Sequence, residues 1–158
     1  MTEPPPPDLP ALAGEGAEEA LWEASHARAL AEAATVHGHT ARAVKHAYQA
    51  SALAVGTWLL AWLGIAPPTP KAMHRAWETF LLREPVAAHL GVPLTHLAAL
   101  ARHLELARYA QAAVTPHDPR LPDLVPREPL PMVLQRTDQL LALAEKALLA
   151  GPPPRHSP

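Results

Sequence analysis

Twenty prolines in a chain of 158 residues would forbid regular structure if they were spread evenly. They are clustered instead. Pro4 to Pro7 and Pro10 stand at the start, and Pro116, Pro119, Pro122, Pro126, Pro129 and Pro131 occupy one connection. Pro152 to Pro154 and Pro158 close the chain, and Pro67, Pro68, Pro70, Pro85 and Pro93 punctuate the middle. Proline lacks an amide proton and clashes with the preceding helical turn, so these positions mark where helices stop. The stretches between them are rich in Ala and Leu and carry apolar residues three and four apart, the period of an amphipathic helix. No stretch alternates as a strand does, and no internal repeat is visible. The chain therefore reads as all-α, an antiparallel up-and-down bundle of four to five helices.

The spacing predicts five helices. The first spans Glu18 to Val36, with Leu21, Ala24, Ala27, Leu30, Ala31 and Ala34 inward and Trp22 at the edge of that stripe. Glu15, Glu18, Glu19 and Glu23 crowd its start, where the helix dipole favours negative charge. The second spans Ala41 to Leu63, with Thr40 as N-cap and Gly64 beyond its end. Its stripe is Val44, Ala47, Tyr48, Ser51, Val55, Trp58, Leu59 and Trp62. The third starts at Pro70 behind a Thr69 cap and runs to about Arg83, with Met73, Trp77, Phe80 and Leu81 inward. Residues 84–93 read as broken by Pro85, Gly91 and Pro93. The fourth helix spans Leu94 to about Ala113, with Leu97, Leu100 and Leu104 inward. The fifth spans Met132 to Ala150, with Leu134, Thr137, Leu141, Ala144 and Leu148 along one face. Residues 1–16 read as a disordered Pro-rich tail, 17–151 as one helical domain with a Pro-rich loop at 114–131, and 152–158 as a second tail.

Composition narrows the function. Apolar residues make up 49% of the chain, enough for a packed core. A net charge of −2 leaves no basic face to drive duplex DNA binding. The absence of cysteine excludes disulfides, thiolate metal sites and a cysteine nucleophile. The start shows no basic segment followed by an apolar run, and Ser51 to Ile65 is too short to cross a bilayer. A cytoplasmic protein without membrane contact is the expectation.

The chemistry-bearing groups are histidines and arginines. His37, His39 and His46 could meet near one turn, but no fourth zinc ligand is evident, and a solvated turn is the simpler reading. His89, His96 and His103 recur every seven residues, about 10 Å apart along a helix, too far for one metal. They read as a polar stripe, and neither metal nor cofactor is expected. Arg102, Glu105, Arg108 and Tyr109 share the C-terminal half of the fourth helix. Arg102 and Glu105 can pair as an ordinary surface ion pair. The functional alternative is an anion site, since guanidinium groups match phosphate oxygens in a bidentate way. Arg83 and His89 are separated by five residues, a spacing that could place an imidazole acid or base beside a phosphate-holding arginine.

The run Ala41-Arg42-Ala43-Val44-Lys45-His46-Ala47-Tyr48-Gln49-Ala50, followed by Trp58-Leu59-Leu60-Ala61-Trp62-Leu63-Gly64-Ile65-Ala66-Pro67-Pro68, resembles the second helix and the Gly-Ile-x-Pro-Pro turn of HEPN domains. Arg108-Tyr109 is similar to that family's late Arg-Tyr-Pro element, with Ala110 in place of proline. The Ala- and Leu-rich Leu140 to Leu149 matches its last helix. The resemblance covers residues 18–150. It implies a helical bundle that dimerises, often beside a minimal nucleotidyltransferase, in toxin–antitoxin or substrate-binding pairs. It also implies metal-independent ribonuclease activity in those members that carry a late Arg…His motif. Here no histidine follows Arg102 or Arg108 at that spacing, which leaves Arg83, His89 and His103 as weak catalytic candidates. The expected function is a HEPN-like module that binds a nucleotide, RNA or a nucleotidyltransferase partner through Arg102, Arg108 and Tyr109. The alternatives are a ribonuclease and a homo-oligomerising scaffold.

Overall fold

The computed structural model describes the backbone of residues 9–112 and 129–154, and the side chains of residues 16–69, 71–105 and 129–154. Every regular element among them is helical. Among the described residues there are six α-helices rather than four to five: α1 (Leu9–Val36), α2 (Thr40–Leu63), α3 (Pro70–Ala76), α4 (Glu84–Leu90), α5 (Leu94–Ala112) and α6 (Leu130–Ala150). A π-turn, Trp77–Leu81, extends α3. Residues 113–128, most of the expected Pro-rich loop, lie outside the described residues.

Three differences from expectation share one cause. Helix α1 starts at Leu9, within the segment read as a tail; α4 fills the stretch read as broken; and α6 starts at Leu130, ahead of Pro131. Each has a proline in its first turn. There the missing amide proton would have no intrahelical partner, and the fixed φ favours the helix. Pro70 plays the same part in α3, where Thr69 Oγ1 accepts from the Ala72 amide at 3.1 Å. The opposite signal works as read at Gly64, which ends α2 in the left-handed conformation at φ 65° and bonds back to the Leu60 carbonyl. His39, rather than Thr40, precedes α2, and it makes no side-chain cap.

Helix α2 is the centre. It packs along α1 through a tight turn, and against α3, α5 and α6. Small residues make close approach possible: Ala43, Ala47, Ala50 and Ala54 on α2 and Ala17, Ala24 and Ala31 on α1 are buried. Gly16 of α1 belongs to this set, since a Cβ there would lie 3.0 Å from Leu60 Cδ2. Trp58 and Trp77 meet edge to face at 5.2 Å in the core, and Trp58 meets Trp62 likewise at 5.3 Å. Such rings bury large apolar areas and gain further from the quadrupole geometry. The π-turn, closed by Leu82 N to Trp77 O at 2.9 Å, turns Trp77 and Leu81 inward and leaves Phe80 exposed, against expectation.

Two helix faces also differ from the sequence reading. On α6 the buried stripe is Val133, Thr137, Leu140, Leu143, Ala144 and Ala147, and Leu134, Leu141 and Leu148 sit at its margins. A wide apolar surface hides which edge of the helix is its centre. On α1 the inward face is Ala17, Ala24, Ala27, Ala31 and Ala34, while Trp22 and Leu30 point out.

Cross-ties fix α6. Arg28 of α1 reaches Asp138 through Nε at 2.7 Å and Nη2 at 3.2 Å, and Glu32 through Nη1 at 3.0 Å. These carboxylates hold the guanidinium pKa above its usual value, the hydrogen bond to Asp138 first. At the other end Trp62 Nε1 donates to the Ala147 carbonyl at 2.8 Å, and His89 Nε2 bonds the Gly151 carbonyl at 2.9 Å.

Trp58→Ala should cost about 3–5 kcal/mol in urea unfolding, because it empties a fully buried ring site. Trp22→Ala should stay within about 0.5 kcal/mol of the parent, because that ring touches mainly water and His26.

Candidate functional site

The most unusual feature of the core is polar. Ser51 of α2, His103 of α5 and Thr137 of α6 meet where these helices converge, all three closed off from solvent. Ser51 Oγ lies 2.9 Å from His103 Nε2, 2.9 Å from Thr137 Oγ1 and 3.0 Å from the Ala47 carbonyl. Thr137 Oγ1 also reaches the Val133 carbonyl at 2.9 Å and the Ala47 carbonyl at 3.2 Å. The Tyr48 ring sits 5.0 Å from the imidazole. The alanines of α2 leave the space that lets hydroxyl and imidazole approach the helix backbone.

Proton counting assigns the tautomer. Five contacts share the two hydroxyl protons of Ser51 and Thr137. A proton on His103 Nε2, donated to Ser51 Oγ, frees the Ser51 proton for the Ala47 carbonyl or for Thr137. The Nε2–H form therefore satisfies more of the cluster than the Nδ1–H form. Burial, reinforced by the Arg136 guanidinium, pushes the His103 pKa down to about 4 from 6.5. The ring is neutral at pH 7.

This arrangement superficially matches a nucleophile beside its base. Its chemistry is different. The pair has no face open to a substrate, the serine proton is shared among backbone and side-chain acceptors, and a base of such low pKa is weak at neutral pH. The cluster orders three helices and leaves the charged groups outside it.

Arg102 is one of those groups. It is exposed, directly before His103, and among the described residues it makes no ion pair with Glu105, contrary to the ordinary pairing the spacing allows. Arg136 is half-buried on α6, near enough for its charge to act on His103. Arg102 thus adjoins His103 in sequence on α5, and Arg136 acts on the same imidazole from α6. Positions 108 and 109 continue α5, but the side chains of Arg108 and Tyr109 lie outside the described residues.

The other candidates are dispersed. Arg83 precedes α4 and its Nε donates back to the Thr79 carbonyl at 2.9 Å, while His89 is held by Gly151 and stacks edge-on against Trp62 at 5.8 Å. Their hydrogen bonds run to different parts of the fold. His37 and His39 sit with ring centres 6.2 Å apart on the exposed turn. No group of three potential metal ligands occurs among the described residues. No helix among them is long and apolar enough to cross a membrane.

Ser51 and Thr137 stand on apolar stripes in the sequence, and two buried hydroxyls need a common partner, which the stripes alone do not name. His103 was the signal: it lies between Leu100 and Leu104, both buried.

The buried imidazole makes folding pH-dependent. Unfolded His103 takes up a proton near pH 6.5, and the folded protein resists it down to about pH 4. Stability is therefore full above pH 6.5 and falls as the pH drops through that window, by about 3 kcal/mol at 1.36 kcal/mol per pKa unit. Denaturant titrations of the parent and of His103→Gln should show a markedly flatter decline in the variant. Equal slopes would remove His103 as the cause.

Comparison with known protein families, curated proteins and solved structures finds no match to this chain.

Proposed function

We propose that this protein is a HEPN-like binding module, an antiparallel helical bundle that takes a phosphate-bearing ligand at the α5–α6 end. The ligand is a nucleotide or RNA segment, or the nucleotide-handling surface of a nucleotidyltransferase partner. The observation that carries this reading is the exposed Arg102, without an ion-pair partner among the described residues, beside a rigid polar core. Arg136 adds a second positive charge at that end. A guanidinium left in water keeps its fork of donors available for phosphate oxygens, and the buried neighbour fixes the backbone it springs from. Arg108 and Tyr109 supply further contacts along α5 in this reading. Because the electrostatic patch is small, binding is to a short, locally charged ligand and not to duplex DNA.

Binding is favoured over ribonuclease chemistry. Of the two catalytic histidine candidates, His103 is enclosed and neutral and His89 holds the end of α6.

Titration of fluorescent nucleotides and short RNAs by anisotropy tests the reading. Arg102→Ala should weaken binding about tenfold or more, the scale of one lost charged hydrogen bond. Its melting temperature without ligand should stay unchanged, since Arg102 is exposed. A ligand at a hundred times its dissociation constant should raise parent stability by about 2.7 kcal/mol. Equal affinity of parent and variant would remove this site. RNA cut by the parent in EDTA would put the ribonuclease reading in front.

A further inference from the structure

The charges of this chain are segregated. It has fifteen acidic residues, yet none stands between Pro85 and Leu104, a stretch that covers α5 from its start at Leu94. On α6 the two carboxylates, Asp138 and Glu145, are seven residues apart and share the side turned to α1, where Arg28 holds Asp138. The opposite flank of α6 carries Arg136, Gln139, Leu143 and Lys146, three and four residues apart, and no carboxylate.

That flank faces α4 and α5. Lys146 Nζ is 3.8 Å from where a Cβ on Gly91 would stand, at the C-terminal cap of α4. The Arg136 charge acts on His103 of α5. Gly91 stands just before α5 and His103 lies within it, so α5 runs antiparallel along the flank, from Lys146 back to Arg136. Exposed Arg102 precedes His103 on α5, and the small Ala99 and Ala142 lie between the cations on the two helices. Arg102, Arg136 and Lys146 make no ion pair among the described residues. Gln139 encloses its amide oxygen, Oε1, which turns the amide NH2 toward the surface.

Cations with amide donors between them and no carboxylate suit a linear polyanion. Arg136 and Lys146 are ten residues apart, about 15 Å along α6, farther than one triphosphate group reaches. Proteins that bind single strands stack successive bases on aromatic side chains. Neither α6 nor α5 from Leu94 to Leu104 carries Phe, Trp or Tyr. The chemistry fits a chain of phosphates that brings no bases with it. We propose that the α5–α6 face is a track for linear inorganic polyphosphate, held by Arg102, Arg136 and Lys146 with the Gln139 amide between the two cations of α6. The proposal rests on the reading of Arg102 as a phosphate contact, and it goes beyond that reading in naming the ligand and the path it takes.

Calorimetric titration of the full chain with long-chain inorganic polyphosphate and with tripolyphosphate, at low salt, tests this. The long chain should bind more tightly, because tripolyphosphate does not reach from Arg136 to Lys146. Lys146→Ala should weaken long-chain binding about fivefold, the scale of one exposed ion pair. It should also flatten the log–log salt dependence by roughly 0.7, the share of one phosphate contact for a single-stranded polyanion. Lys146→Arg should restore both. Lys146 is exposed, so melting without ligand should stay unchanged in each variant. Polyphosphate bound equally by the parent and by Lys146→Glu overturns the proposal. So does single-stranded RNA bound more tightly than polyphosphate of matched charge and lost in Arg102→Ala; the phosphate contact at Arg102 then stands and the track does not. Failure of every phosphate ligand to bind removes both.

Discussion

The contact between the Ser51 hydroxyl and the His103 imidazole, 2.9 Å apart inside an otherwise apolar core, is the constraint around which the fold is arranged. A buried polar group without a partner costs about as much as the hydrogen bonds it forgoes, and these two groups can be satisfied only with α2, α5 and α6 in one relative register. Thr137 and two helix carbonyls complete the set. Apolar packing is tolerant of small slips, and a shared hydroxyl–imidazole contact is not. The three helices are therefore located by chemistry near their middles, and by Trp58 and Trp62 toward the C-terminal end of α2.

That division of labour shapes what the surface can do. An imidazole used as a structural cross-tie is neutral and enclosed, which removes it from acid–base work. The positive charge at this end then belongs to arginines: Arg102 outside, and Arg136 half in, felt by the ring it flanks. A helix surface that exposes a guanidinium group suits recognition of phosphate more than its chemical transformation.

Much of the fold was legible in the sequence where a signal has one physical meaning. Gly64 ends α2 because only glycine adopts its φ of 65° cheaply, and Thr69-Pro70 starts α3 by capping. Signals with two meanings misled. Proline ends a helix from within and begins one from its first turn, so Pro10, Pro85 and Pro131 concealed helical turns. The π-turn at Trp77–Leu81 changes the phase of side chains by one residue, which no 3.6-residue pattern anticipates, and so Phe80 faces out. Alanine is apolar enough to serve on either face of α1, so the stripe through Leu30 looked as good as the true one. Of the candidate site, Arg102 was visible by residue type. The burial of His103 was not, because the partners that permit it are 52 residues away on α2 and 34 away on α6 (103 to 51, and 103 to 137).

His103 is a neutral, buried cross-tie, and its protonation can be read at the ring nitrogens. Long-range proton–nitrogen correlation spectra of the imidazoles, followed from neutral to acidic pH, resolve both tautomer and midpoint. The expected result is an Nε2–H ring at neutral pH that gains its second proton only near pH 4, as the fold gives way. A midpoint at the ordinary 6.5, in a protein that stays folded, would place the ring in contact with water and contradict the account.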